Sequence, residues 1–89
     1  LPTQALYLLN SPFVNSEANL AGKRIKRMAE TDIERIRFAY LLALGREPSI
    51  SEFEVALKFV LNEASLGRSD NWGALVHSII SSVQFRYLD

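Results

Sequence analysis

His77 is the residue in this sequence whose side chain could most readily carry acid–base or metal chemistry. It is the only histidine in a chain of 89 residues that contains no cysteine. A metal site needs several converging His, Cys or carboxylate ligands, and serine catalysis needs a nucleophile in a recognisable motif such as Gly-x-Ser-x-Gly. Neither accompanies His77 in the sequence. We therefore expect a structural or partly exposed histidine at the edge of an apolar helix face.

Paired carboxylates are the second candidate for chemistry. Glu52 and Glu54 lie two positions apart, as do Asp32 and Glu34. On a helix such neighbours diverge by about 200°, so neither pair can act together from one face. The sequence accordingly predicts no catalytic, cofactor-binding or metal-binding residue within residues 1–89, and we expect a domain that is not an enzyme.

Basic residues cluster at positions 23–27, where Lys23, Arg24, Lys26 and Arg27 surround Ile25. Such a cluster could bind phosphate or an acidic partner. The alternative is a solvated helix face, since cations near a helix C-terminus interact favourably with the helix dipole. The net charge of zero favours the solvated face, because nucleic-acid affinity depends on neutralising phosphates. Weak nucleic-acid binding through this cluster stays open as an alternative.

Helix signals run along the whole chain, and no segment alternates apolar and polar residues as a strand does. The pattern predicts an all-α fold, a small bundle of four main helices plus a short N-terminal helix, in one domain spanning residues 1–89. The expected helices cover residues 3–10, 12–29, 32–44 and 50–66, and a last one follows a cap at Asp70 or Asn71. No apolar run approaches the roughly 20 residues of a membrane span.

Capping residues mark the starts of these helices. Ser11 is a plausible N-cap before a proline at the first helical position. Thr31 with Glu34, and Ser49 with Glu52, have the Ser/Thr-x-x-Glu spacing of a capping box.

A tight corner is predicted between the two capping boxes. Gly45 can adopt the left-handed conformation that ends a helix, and Pro48 cannot continue one. Arg46 is expected to bond exposed helix carbonyls or a neighbouring carboxylate. Trp72, in the last helix, is expected to be a core anchor.

Apolar residues at helical spacing predict the buried faces. For the second helix they are Val14, Ala18, Ala21, Ile25 and Met28, with Gly22 as a weak point that costs about 1 kcal/mol relative to alanine. For the fourth they are Phe53, Leu57, Val60, Leu61 and Ala64. For the last they are Trp72, Leu75, Val76, Ile79, Ile80 and Val83. The aromatic residues Tyr7, Phe13, Tyr40, Trp72, Phe85 and Tyr87 are expected to belong to the core.

Val55 and Phe59 form an apolar pair on the other side of the fourth helix. Either the leading segment covers this pair or it faces a protein partner. We therefore treat both residues as candidate interaction residues.

Three segments together resemble a known family: Gln4–Val14, the segment from Arg35 to the Leu-Gly-Arg-Glu-Pro motif ending at Pro48, and Trp72–Asp89. They are similar to the C-terminal part of a domain of unknown function from large secreted proteins of planctomycetes. There the domain typically follows a cytochrome c-like domain and another domain of unknown function. The last helix departs from that family in Val83-Gln84-Phe85, where Asn-Glu-Phe is frequent. The Leu-Gly-Arg-x-Pro motif alone is also similar to helical linker-type repeats of phycobilisome and bacterial surface proteins.

The resemblance implies an extracytoplasmic location in a larger multidomain protein, with any haem in a separate domain. The family has no established activity, so it supplies no catalytic residues. We expect residues 1–89 to form a non-catalytic structural or protein-interaction module of an exported bacterial protein. Its expected partners are the upstream domains of the same protein, or another protein. The alternative is that it forms the wall of an active site completed by the upstream domains.

Overall fold

A computed structural model of the chain describes residues 11–67 and 71–86, with side chains up to residue 82. Four α-helices make up the described fold: α1 (Pro12–Met28), α2 (Asp32–Leu44), α3 (Ile50–Ser65) and α4 (Asn71–Arg86). No strand occurs in these residues, so the all-α bundle is confirmed. The predicted helix over residues 3–10 and a cap at Asp70 lie outside the described residues. No helix in the described ranges is long and apolar enough to cross a membrane.

The helices begin at the predicted caps. The Ser11 hydroxyl accepts a hydrogen bond from the Val14 N–H at 3.1 Å, and the Thr31 hydroxyl accepts one from the Glu34 N–H at 3.2 Å. At Ser49 the capping box is complete. At Thr31, within the described residues, only one of the two capping-box hydrogen bonds forms, namely the one that the Thr31 hydroxyl accepts from the Glu34 N–H.

The corner between α2 and α3 combines a left-handed glycine with an ion pair. Gly45 has φ 70°, and its N–H donates to the carbonyl of Leu41 at 2.9 Å, which closes α2. The Arg46 guanidinium donates to both carboxylate oxygens of Glu52, at 2.7 and 3.0 Å, and to the carbonyl of Glu47. Glu52 also accepts from the Ser49 N–H at 2.9 Å. Arg46 thus makes the predicted contact with a neighbouring carboxylate, whereas the carbonyl that it contacts belongs to the corner and not to a helix.

The core is centred on α4, which packs against each of the other three helices. Ile25 of α1 and Ile36 of α2 are fully buried, and Trp72 is 3% exposed, as expected of a core anchor. Arg35 covers the edge of this core. Its Nε donates to the carbonyl of Ala29 at 2.9 Å, and its guanidinium lies 5.6 Å from the centre of the Trp72 ring.

The α1 and α4 backbones meet at Gly22 and Gly73. A Cβ placed on Gly22 would lie only 2.7 Å from the Cα of Gly73 and 2.9 Å from the carbonyl carbon of Trp72. No side chain fits in that space, because carbon atoms in contact are normally at least 3.5 Å apart. Glycine at position 22 therefore permits the close crossing of the two helices, so its low helix propensity does not mean that alanine would stabilise the folded domain.

The buried faces of α1 and α3 differ from the predicted ones. On α1 the buried residues are Ala18, Gly22 and Ile25, whereas Met28 is 45% exposed. The packed face of α1 therefore includes Gly22, and Met28 lies at its margin. Phe13 is 72% exposed and is not a core residue.

On α3 the buried residues are Ala56, Val60 and Glu63. Leu61 is 56% exposed and Ala64 is also exposed, so the prediction that both lie on the packed face is wrong. The apolar pattern of α3 is broad enough to suggest two faces, and contact with α2 and α4 selects the one centred on Ala56 and Val60.

The ion pair at the corner predicts a pH dependence of stability. The bonds from Arg46, and then the N–H of Ser49, lower the pKa of the Glu52 carboxyl to about 2 from its usual 4.5. A depressed folded-state pKa contributes stability above the unfolded-state pKa, and that contribution is lost as the pH falls from about 4.5 towards 2. In urea unfolding at a series of pH values, the Glu52→Gln variant should therefore show a shallower fall of the unfolding free energy over this range than the wild type.

The matched control is Glu54→Gln, which changes an exposed carboxylate of the same turn and keeps the Arg46–Glu52 pair. Its pH dependence should follow the wild type. If the unfolding free energies of the wild type and the Glu52→Gln variant fell equally over this pH range, the ion pair would not be the source of the pH dependence.

Candidate functional site

The basic residues predicted as a possible patch do not converge. Lys23, Arg24, Lys26 and Arg27 are all exposed on α1. Successive helical residues are rotated by about 100°, so Arg24 and Lys26 point about 160° apart and the four charges spread over the outward half of the helix. Lys26 and Arg27 lie in the last turn of α1, where a cation favours the helix dipole. This arrangement is that of a solvated helix end.

Val55 and Phe59, the predicted interaction pair, have different environments. Phe59 is half-buried and packs against the core, whereas Val55 is 68% exposed. Leu66, seven residues after Phe59 and so on the same side of the helix, is 57% exposed. We call Val55, Phe59 and Leu66 the apolar edge of α3. Their role in an interaction stays a prediction.

The apolar edge borders a groove between α1 and α3. No Cα atoms of these two helices lie within 8 Å of each other in the described residues, whereas both helices pack on α4, so α4 lies between them. The groove has a volume of about 400 Å³ and is open to solvent. Its lining comprises Asn15, Ala18 and Asn19 of α1, Phe59 of α3, and Gly73, Ala74, His77 and Ser78 of α4.

Polar amide groups form the α1 wall of the groove. Asn15 and Asn19 are both exposed and lie four residues apart, so their side chains project from the same side of α1, about 6 Å apart along the helix. Neither side chain makes a hydrogen bond within the described part of the chain. Both carboxamides can therefore donate to and accept from a ligand.

Small residues form the floor, and Phe59 forms the opposite wall. Ala18 and Gly73 are buried at the bottom of the groove, and the half-buried Ala74 lies beside them. The aromatic ring across the groove offers an apolar contact surface. The groove thus combines a hydrogen-bonding wall, a shallow floor and an apolar wall.

His77 lies in the groove lining and is half-buried, in keeping with the expectation of a partly exposed histidine. The Ser81 hydroxyl donates to the carbonyl of His77 at 2.8 Å and lies 3.5 Å from its Nδ1. Because the Ser81 proton is directed to the main chain, this pair has the local geometry of a helical serine rather than of an activated nucleophile. No group of His, Asp and Glu side chains in the described ranges is arranged to hold a metal ion.

A second, smaller hollow lies between the end of α1 and α2. It has a volume of about 250 Å³ and is lined by Met28, Glu34, Arg37, Phe38 and Leu41. The sequence does not predict this hollow, because helical spacing places Met28 on a buried face.

An ion pair stands at the rim of this hollow. Arg37 contacts Glu47 at 2.7 Å, and its bonds hold the pKa of the Glu47 carboxyl below its usual value. Both side chains are about half exposed, so the pair contributes little to stability.

The groove residues could be recognised from the sequence only in part. The spacing of Asn15 and Asn19 places two amides on one side of a helix, and Ala74 and Ser78 share a side of α4 in the same way. The assembly of the groove depends on α1 and α3 standing apart over α4, which no local pattern specifies.

The described residues form a small all-α domain with a surface groove. Such an architecture does not by itself indicate one activity. A family model described as PSD1, protein of unknown function (DUF1553), matches residues 1–60. The chain belongs to this family. The matched span includes α1, α2 and most of α3, so it contains the groove residues Asn15, Ala18, Asn19 and Phe59. Helix α4 follows the matched span. No curated protein and no solved structure matches the chain.

Family membership confirms the expected domain of unknown function. The matched residues include the first two of the segments on which the resemblance was based, whereas Trp72–Asp89 lies after the match. A planctomycete origin and an accompanying cytochrome c-like domain stay predictions.

Proposed function

We propose that this domain is a non-catalytic helical interaction module of a larger protein, and that the groove between α1 and α3 docks another part of the same polypeptide. The observation that carries the proposal is the groove itself, with Phe59 on one wall and the amides of Asn15 and Asn19 on the other. The exposed residues Val55 and Leu66 extend its apolar side along α3.

The composition of the groove supports binding of a polypeptide. Protein interfaces combine a central apolar contact, often aromatic, with polar groups at the rim. Phe59 fits the first role and the two asparagines fit the second. Small-molecule sites usually enclose most of the ligand surface, whereas this groove is open along one side.

The geometry around His77 supports a non-catalytic role. The nearby Ser81 hydroxyl is engaged by a main-chain carbonyl, and no carboxylate belongs to the groove lining within the described residues. The position of His77 in the wall also favours a second candidate function, in which the groove is one wall of an active site completed by upstream domains. That function requires enzymatic turnover that appears when this domain is combined with the rest of the parent polypeptide.

The test is a calorimetric titration of residues 1–89 with the remainder of the parent polypeptide, produced separately. We expect association with a negative heat-capacity change, because docking buries apolar surface. The Phe59→Asp variant should weaken this association by about 2 kcal/mol or more, since it places a charge in the apolar wall.

Leu61→Asp is the matched control, because Leu61 is exposed on the same helix and points about 160° away from Phe59. Both variants must remain folded by circular dichroism, and Leu61→Asp should bind like the wild type. An absence of wild-type association, or equal losses in the two variants, would overturn docking in the groove. Turnover that appears only in the mixture would assign the second candidate function.

An extracytoplasmic location of the parent protein is also proposed, and its support is the resemblance to secreted planctomycete proteins. Fractionation of cells that produce the full-length parent checks it. We expect the protein outside the cytoplasmic fraction, and its recovery only with cytoplasmic markers would refute the location.

A further inference from the structure

We infer that α3 is a hinged element, which opens away from α2 and α4 as one body while α1, α2 and α4 stay together. The pivots are Gly45 and Gly67, one at each end of the helix. The ion pair of Arg37 with Glu47 holds the element closed. This inference goes beyond the proposed function and does not depend on the docking of a partner.

The chain passes through a left-handed conformation on either side of α3. Gly45 has φ 70° and Gly67 has φ 75°, and no other residue in the described ranges has a positive φ. No atom lies within 4 Å of the position that a Cβ would take at either glycine, so neither glycine packs against another element. Because glycine has no Cβ, its backbone angles can change with little steric cost. Both ends of α3 are therefore attached through residues that permit rotation.

The residues between Gly45 and α3 are fixed to the helix. The ring of Pro48 fixes its own φ, and Ser49 shares a complete capping box with Glu52. The Arg46 guanidinium donates to both carboxylate oxygens of Glu52, at 2.7 and 3.0 Å. Because these bonds join the corner to the first turn of α3, the corner and the helix form one body, with its pivot at Gly45.

Helix α3 packs less against the rest of the described structure than any of the other three helices does. Its buried apolar side chains are the small Ala56 and Val60, whereas α1 and α2 each contribute a fully buried isoleucine and α4 contributes Trp72. Its third buried residue is Glu63, and a buried carboxylate stabilises packing less than an apolar side chain of the same size, even where it has a partner. Since hydrophobic stabilisation scales with the apolar area removed from water, separating α3 from the bundle costs less free energy than separating α1 from α4.

The ion pair of Arg37 with Glu47 crosses the Gly45 pivot. The Arg37 Nε donates to the two carboxylate oxygens of Glu47, at 3.0 and 3.2 Å, and Nη2 donates to one of them at 2.7 Å. Arg37 belongs to α2 and Glu47 belongs to the body that moves with α3, so opening has to break this pair. Both side chains are about half exposed, and salt therefore screens their attraction. The pair acts as a latch of small, salt-dependent strength.

The experiment is native-state hydrogen exchange of the chain, followed for individual main-chain amides by NMR at low urea concentrations. The exchange of a protected amide then reports the free energy of the opening that exposes it. We expect the interior amides of α3 to exchange at least about tenfold faster than those of α4. Their exchange should also depend less on urea, because the opening of one helix exposes less surface than global unfolding does.

The Arg37→Gln variant removes the latch. It should accelerate the exchange of α3 amides about two- to fivefold, with little change in α1 and α4. The matched control is Arg27→Gln, which removes the same charge from an exposed arginine of α1 and should leave α3 exchange at the wild-type rate. Both variants are checked for wild-type helicity by circular dichroism before exchange is measured.

Salt provides a second measurement of the latch that needs no substitution. Raising the salt concentration from about 0.05 M to about 1 M shortens the range of electrostatic attraction from about 13 Å to about 3 Å. We expect α3 exchange in the wild type and in Arg27→Gln to accelerate with this change, and to respond much less in Arg37→Gln.

Equal exchange rates and equal urea dependence of the α3 and α4 amides would overturn the inference, because α3 would then open only with the whole domain. Equal α3 exchange in Arg37→Gln and Arg27→Gln would overturn the role of the ion pair as the latch. Neither result depends on association with the remainder of the parent polypeptide, so the proposed function is decided separately.

Discussion

The close crossing of α1 and α4 at Gly22 is the constraint on which the rest of the described structure depends. Glycine at this position brings the two backbones together where even a methyl group would meet the main chain of α4. In an isolated helix the same glycine costs about 1 kcal/mol relative to alanine. In the folded domain this local cost is offset by the burial that the crossing makes possible, with Ile25 and Trp72 almost completely removed from water on either side of it.

The position of α4 relative to α1 determines where the other helices can pack. α2 and α3 each bury one face against α4, and Ile36 of α2 completes the core beside Ile25. The ion pair of Arg46 with Glu52 is partly exposed, so it orients the corner between α2 and α3 more than it stabilises the fold. With α1 held close to α4 and α3 placed beyond α2, a gap stays open over α4. The groove is this gap, which makes the candidate site a consequence of the packing.

Local features of the sequence predicted most of the fold. Caps at Ser11, Thr31 and Ser49 depend on bonds within one helical turn, so the helix starts could be located without tertiary information. The packed faces of the helices are harder to predict from the sequence. An apolar pattern cannot distinguish a glycine that weakens a helix from one that contacts a neighbour. Helical spacing places Met28 on the same face as Ile25, but it does not show how far the neighbouring helices cover that face. The groove could not be foreseen, because it joins residues from three helices that are distant in sequence.

The unfolding free energy of Gly22→Ala, measured in urea beside Lys23→Ala, tests the central claim most directly. Helix propensity alone predicts that Gly22→Ala stabilises the domain by about 1 kcal/mol. The close crossing predicts the opposite sign, a net loss of about 1–3 kcal/mol, because the added methyl group forces the backbones of α1 and α4 apart. Lys23→Ala changes an exposed neighbour and should be nearly neutral. A Gly22→Ala domain as stable as the wild type, or more stable, would contradict the account.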